Sequence, residues 1–163
     1  MTDLTISLRP ITRDNIAAVC RLRVAEDQEE FVARNVSSIA EAYVEPTFRP
    51  LAVYAGDELV GFTMYGQDES NGRWWVIRLM IDRPRQGRGY GRQAMEALIP
   101  LMIEREGMGE IFTSYVPGNE AAAHLYRSLG FVDTGEMDEG EHLMRLDVAA
   151  WRGPSARGES PEV

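Results

Sequence analysis

The sequence has no lysine; all 17 of its basic residues are arginine. That excludes a Walker-type phosphate loop, which needs a lysine followed by serine or threonine. Cys20 is the only cysteine, so no disulfide can close within the chain. No apolar run approaches the roughly 18 residues of a membrane span, and no membrane association is expected. Met1 to Pro10 carries Asp3 and has no apolar block, so no secretory signal is expected and a cytoplasmic location follows by default. There are two histidines, and no cluster has metal-ligand spacing, so no metal is expected. Bases are the minority: 26 acids against 17 arginines leave a formal charge of −9. A nucleic-acid binder normally presents a basic face, so no nucleic-acid partner is expected; an acidic field instead concentrates small cations.

What is present centres on Trp74 to Arg92. Trp74 to Ile81 is rich in aromatic and β-branched residues and reads as a strand. Asp82, Arg83 and Pro84 end it, and Gly87, Gly89 and Gly91 follow within five positions. Gln93 to Glu106 then reads as a helix, with Ala94, Ala97, Leu98, Leu101 and Met102 at helical spacing. Pro100 inside it predicts a kink or an early end, because proline cannot donate to the carbonyl of Glu96. A strand, a glycine-rich turn and a helix together aim free backbone N–H groups at an anion. Arg83, Arg85, Arg88 and Arg92 surround the turn with no acid between them, which points to a phosphorylated ligand.

Elsewhere the pattern predicts a strand over Thr5 to Pro10, then a helix with Ile16, Val19, Cys20 and Val24 on its buried face. A polar helical stretch over Glu26 to Ala42 follows, divided near Asn35 or Ser37. Leu51 to Ala55 and Leu59 to Tyr65 read as a hairpin through Gly56 and Asp57. Glu110 to Val116 is a strand, Asn119 or Glu120 to Leu129 a helix, and Phe131 to Thr134 and His142 to Val148 two last strands around an acidic loop, Glu136 to Glu141. Residues 1–150 form one domain on this reading. Residues 151–163, rich in Gly, Pro, Ser and Glu, form a flexible tail.

Gln86-Gly-Arg-Gly89-Tyr-Gly91 resembles the Gln/Arg-x-x-Gly-x-Gly/Ala turn of the GCN5-related N-acetyltransferase (GNAT) family. A second motif agrees: Asn119, Ala122, Leu125 and Tyr126, closed by Leu129-Gly130-Phe131, resemble that family's last helix. The resemblance covers about Ile6 to Val148. It implies an α/β (α+β) fold: a mixed, mostly antiparallel sheet of about seven strands flanked by about four helices, splayed between strands four and five. It also implies acetyl-CoA as cosubstrate. Amides from Gly87 through Arg88, Gly89, Tyr90 and Gly91 to Arg92, opened by Gln86, would hold the pyrophosphate. Leu79, Met80 and Ile81 would pair with the pantetheine arm, an N–H near Met80 would meet the thioester oxygen, and Asn119 would bond the pantetheine.

By the same resemblance Tyr126 protonates the leaving thiolate. On pattern alone it would as readily pack in the core beside Leu125 and Leu129. The attacking amine needs a base. Candidates are Glu26 and Glu30, with Glu29, Glu41, Asp82 and Glu141, and spacing does not choose among them. Six acids against Arg34 in residues 26–45, and four acids in 136–141, suit a small cationic amine. Three further segments resemble bacterial diamine and spermidine acetyltransferases of the BltD type: Glu26 to Ser38, Arg78 to Gly87 and Thr134 to Glu136. These imply a polyamine acceptor, with other amines or a non-catalytic acyl-CoA sensor as alternatives. A homodimer is common in such families.

Overall fold

The computed structural model describes residues 4–153. Seven strands form one sheet: β1 (Ile6–Pro10), β2 (Arg49–Ala55), β3 (Glu58–Asp68), β4 (Arg73–Ile81), β5 (Glu110–Tyr115), β6 (Val132–Asp138) and β7 (Glu141–Asp147). Their spatial order is β1-β2-β3-β4-β5-β7-β6. Every pairing is antiparallel except β4 with β5, which is parallel. The α-helices among the described residues are α1 (Ile16–Arg21), α2 (Asn35–Val44), α3 (Tyr90–Glu106) and α4 (Glu120–Ser128).

The helices cover both faces. Met95, Leu98, Ile99 and Met102 of α3 and Ala123 and Tyr126 of α4 pack on Tyr65, Val76, Ile111, Met144 and Leu146. Val19 and Leu22 pack on Ala52, Phe62, Met64 and Met80 on the opposite face. Each fully buried side chain such as Leu98 contributes about 1.5–3 kcal/mol.

The structure corrects several local expectations. The first helix stops at Arg21, short of Val24, and leaves Ile16 exposed and Cys20 half-buried. The cause is tertiary: the Arg23 N–H donates to Asp82 Oδ1 at 2.9 Å, while the Arg23 guanidinium takes the carbonyls of Cys20 and Leu22. Between Glu26 and Ala42 only a 3-10 turn, Glu26–Gln28, precedes α2. Helix α3 runs through Pro100 to Glu106 rather than ending early; Pro100 is exposed, where the missing donor costs least. Most of the expected acidic loop is strand. Asp138 pairs with Glu141 across a two-residue turn in which Glu139 (φ 47°) and Gly140 (φ 84°) are both left-handed, as a type I′ hairpin requires. Trp151, expected in the tail, packs on the main core; the tail from 154 onward lies outside the described residues.

Candidate active site

Strands β4 and β5 pair only at Trp74 with Ile111 and Trp75 with Phe112. Just beyond, the Thr113 hydroxyl donates to the Val76 carbonyl at 3.2 Å and closes the crotch. On the β3 side Ile77 has no register partner, since Met64 faces Arg78 and Tyr65 faces Val76. Such a bulge bends its strand, and here it accompanies the departure of β4 from β5.

Past the bulge, strand alternation decides which main-chain groups the gap receives. The Asp82 N–H bonds the Val60 carbonyl of β3, and the Thr63 hydroxyl bonds the Arg78 carbonyl. The Ile81 carbonyl instead accepts from Gln86 Nε2, away from β3. Residues therefore alternate, with Met80 turned into β3 and Leu79 and Ile81 turned into the gap. Of the three expected residues, Leu79 and Ile81 are thus the ones whose main-chain groups face the gap. The Met80 side chain is buried, its sulfur 3.6 Å from Asn35 Nδ2. An open strand edge inside a sheet offers N–H and C=O groups to an extended ligand carrying amides of its own.

The edge leads to the glycine turn. A 3-10 turn, Arg83–Arg85, is followed by Gln86, then by Gly87 (φ 78°) and Gly89 (φ 80°). These two glycines supply left-handed backbone that other residues enter at a cost. Gly89 caps α3, a 17-residue helix whose first N–H groups point out of the turn. Gly91 has ordinary backbone, and a Cβ there would lie 3.8 Å from Ile81 Cγ1 and Leu125 Cδ2, an ordinary contact. Gln86 acts as a strut, donating to Ile81 O at 2.9 Å and Gln28 Oε1 at 2.8 Å.

The arginines are less uniform than their sequence clustering suggests. Arg85 lines the cleft and pairs with Glu58. Arg92 turns to α4, bonding Ser128 Oγ at 2.6 Å, with Glu96 at 3.2 Å. Arg88 is exposed, and neither Arg88 nor Arg92 is part of the cleft wall.

Asn119 Oδ1 accepts from the Ala122 N–H at 3.3 Å and so caps α4, which leaves its Nδ2 as the group that can face a ligand. Tyr126 is 7% exposed, packs against Phe131 with ring centroids 5.8 Å apart, and also forms part of the cleft wall. The core and cleft positions are thus the same position. Burial pushes its phenol above the usual range; the Thr113 hydroxyl opposes this and the Glu141 charge adds to it. Tyr126 therefore keeps its proton at neutral pH and can donate it. His124 is exposed, and His142 stacks on Tyr115 with centroids 5.0 Å apart.

One continuous cleft of about 1230 Å³ joins turn, gap and phenol. Leu79, Met80, Ile81, Gln86, Gly87, Gly89, Tyr90, Gly91, Asn119 and Tyr126 all line it. So do eight carboxylates, Glu29, Glu30, Glu45, Asp68, Glu69, Asp138, Glu139 and Glu141, against two guanidiniums, Arg78 and Arg85. Glu26, a candidate base, is exposed and is no part of the wall; Glu30 is part of it but exposed. Glu41 is paired with Arg78 at 3.4 Å, and Asp82 serves the Arg23 N–H.

Sequence reasoning missed Trp75, Thr113, Ser114 and the acids Asp68 and Glu69, all in the wall. Arg78, the first residue of the Arg78–Gly87 segment, also lines the wall. Trp75 Nε1 and Arg78 Nε are buried with no hydrogen-bond partner among the described residues. Only the fold brings these residues together, so no local spacing could have found them. Among the described residues no group of His, Cys, Asp and Glu could hold a metal, and no helix is long and apolar enough to cross a membrane.

Residues 14–131 match the model of the acetyltransferase (GNAT) family. The spermine/spermidine N(1)-acetyltransferase of Bacillus subtilis (strain 168) is 33% identical over 148 residues, 86% of this chain and 97% of that protein. Among solved structures, the aminoglycoside acetyltransferase AAC(6')-Ib in complex with coenzyme A superposes with a TM-score of 0.72. It is 17% identical, over 87% of this chain and 94% of that one. The spermidine N-acetyltransferase from Vibrio cholerae in complex with CoA and spermine gives 0.68 at 16% identity, over 86% and 93%. The splayed sheet, the glycine turn and these matches over most of the chain agree: it belongs to the acetyltransferase (GNAT) family.

Proposed function

We propose that the protein transfers the acetyl group of acetyl-CoA to a primary amine of a polyamine, spermine or spermidine. One observation carries this reading: a single cleft joins a glycine-rich turn, an open strand edge and a buried phenol to a wall with eight carboxylates and two guanidiniums. Spaced ammonium groups on a flexible chain complement such a wall. The similarity to the Bacillus subtilis enzyme supports the same acceptor.

The chain's own residues divide the work. The N–H groups of the glycine turn and the start of α3, around Gly87, Gly89 and Tyr90, hold phosphate, and those of Leu79 and Ile81 hold the pantetheine amides and the thioester oxygen. A donor to that oxygen contributes about 3 kcal/mol to the transition state. Asn119 Nδ2 bonds the pantetheine, and Tyr126 gives its proton to the departing sulfur.

The orphaned Trp75 and Arg78 donors favour a second reading, an amine that also carries hydroxyl or carbonyl oxygens, such as an aminoglycoside. A buried unpaired donor costs about 1–3 kcal/mol, which such an oxygen would recover. Thiol release from acetyl-CoA against a panel of polyamines, aminoglycosides and amino acids tests both. Turnover is expected with spermine and spermidine, and preference for an oxygen-rich amine would overturn the polyamine assignment.

A further inference from the structure

The attacking amine must lose a proton, and the cleft holds more carboxylates than one proton transfer needs. Their surroundings separate them. Glu29 and Glu30 are exposed on the segment after the first 3-10 turn. Glu41 is no part of the cleft wall and is paired with Arg78 at 3.4 Å. Asp68 accepts from Ser70 N at 2.9 Å, Ser70 Oγ at 2.6 Å and Asn71 Nδ2 at 3.0 Å, which holds its carboxyl below the usual range. Glu141 differs from all of these. It is half-buried at the start of β7, and Ser114 Oγ donates to its Oε2 at 2.7 Å, leaving Oε1 for a ligand. It is also near enough to Tyr126 for its charge to act on that phenol.

We propose that Glu141, held by Ser114 across the β5–β7 pair, is the base that deprotonates the acceptor amine opposite Tyr126. This rests on the acetyltransferase reading above. The ammonium gives one proton to Glu141, which passes it to solvent. The freed lone pair forms the C–N bond at the thioester carbon. As the C–S bond breaks, its electron pair stays on sulfur and takes the Tyr126 proton. The second proton lost by nitrogen restores the phenol, so the net products are the amide, the free thiol and one proton. The charged and titratable groups around Glu141 are Tyr126 from α4, Asp138 across the hairpin, Glu139 in its turn, and the stacked pair Tyr115 and His142.

The test is the pH profile of kcat and kcat/KM for wild type, Glu141→Gln, Glu141→Asp and Glu30→Gln, with acetyl-CoA binding followed by thermal shift. Glu141→Gln is expected to lower kcat about 100-fold and abolish the acidic limb of the wild-type profile, while acetyl-CoA still raises its Tm. Glu141→Asp should recover part of the rate and the limb. Glu30→Gln should raise KM for the amine and leave the limb in place. An intact limb in Glu141→Gln, or a loss confined to KM, overturns the assignment. Should Glu141→Gln not fold, an unaltered profile in Glu141→Asp, whose carboxylate is one methylene shorter, does the same. Wild type inactive on polyamines but active on another amine refutes the polyamine reading alone, and the four profiles are then taken with that amine.

Discussion

At the scale of single residues, the phenol of Tyr126 is pulled two ways. Burial raises its pKa and the Thr113 hydroxyl lowers it, with the net shift upward. A general acid must be protonated when the thiolate forms, and the phenol, already protonated at neutral pH at its ordinary value and shifted upward here, meets that condition for the role proposed for Tyr126. Tyr126→Phe is expected to lower kcat by about 100-fold while acetyl-CoA still raises Tm as in wild type. The shift also has a stability consequence. Above the ordinary value of 10.0 the folded state holds this proton more tightly than the unfolded chain, so stability is full below that pH and falls as pH rises past it. Alkaline melting curves of Tyr126→Phe should lack that part of the fall. The residue was legible in sequence through its spacing from Asn119, whereas its two neighbours in chemistry were not. Thr113 and Ser114 are one strand away and reach the site only through the β4–β5 and β5–β7 pairings.

At the scale of elements, the splay and the turn behind it form the two ends of the cleft proposed to hold the cosubstrate. The glycine turn was read correctly as a strand-to-helix junction, because three glycines in five positions leave few alternatives. The bulge at Ile77 was invisible, since nothing in Trp74 to Ile81 marks one residue as the extra one. That bulge sets which of Leu79, Met80 and Ile81 turns its main-chain groups to the gap, a choice that the pattern alone does not make. The first helix was overextended for a related reason: Asp82, far away in sequence, takes the Arg23 N–H. The structure also distinguishes the glycines. Gly89→Ala forces a side chain into left-handed backbone at the α3 cap and should cost about 1–2 kcal/mol, with weaker acetyl-CoA binding. Gly91→Ala should leave stability within about 0.5 kcal/mol of wild type, because its backbone is ordinary and its Cβ has room. Thermal melts with and without acetyl-CoA compare the two. Equal effects would mean that backbone conformation at Gly89 is not what the turn requires.

At the scale of the whole molecule, charge is sorted rather than merely negative. Four arginines cluster around the turn in sequence, but of them Arg85 alone lines the cleft, whereas eight carboxylates do. The sequence displayed both clusters, but only folding brings Asp68 and Glu69 at the end of β3 to the same wall as Glu141 at the start of β7. An acceptor with several ammonium groups should therefore gain from contacts far from its reacting nitrogen, and salt should weaken that gain. The most direct measurement is kcat/KM for spermidine against a primary amine of equal length with an uncharged tail, at low and at high ionic strength. Spermidine is expected to exceed the uncharged amine by at least about tenfold at low salt, about 1.4 kcal/mol, with the margin narrowing as salt rises. Equal values for the two amines, or no thiol release with spermidine at all, would contradict the account.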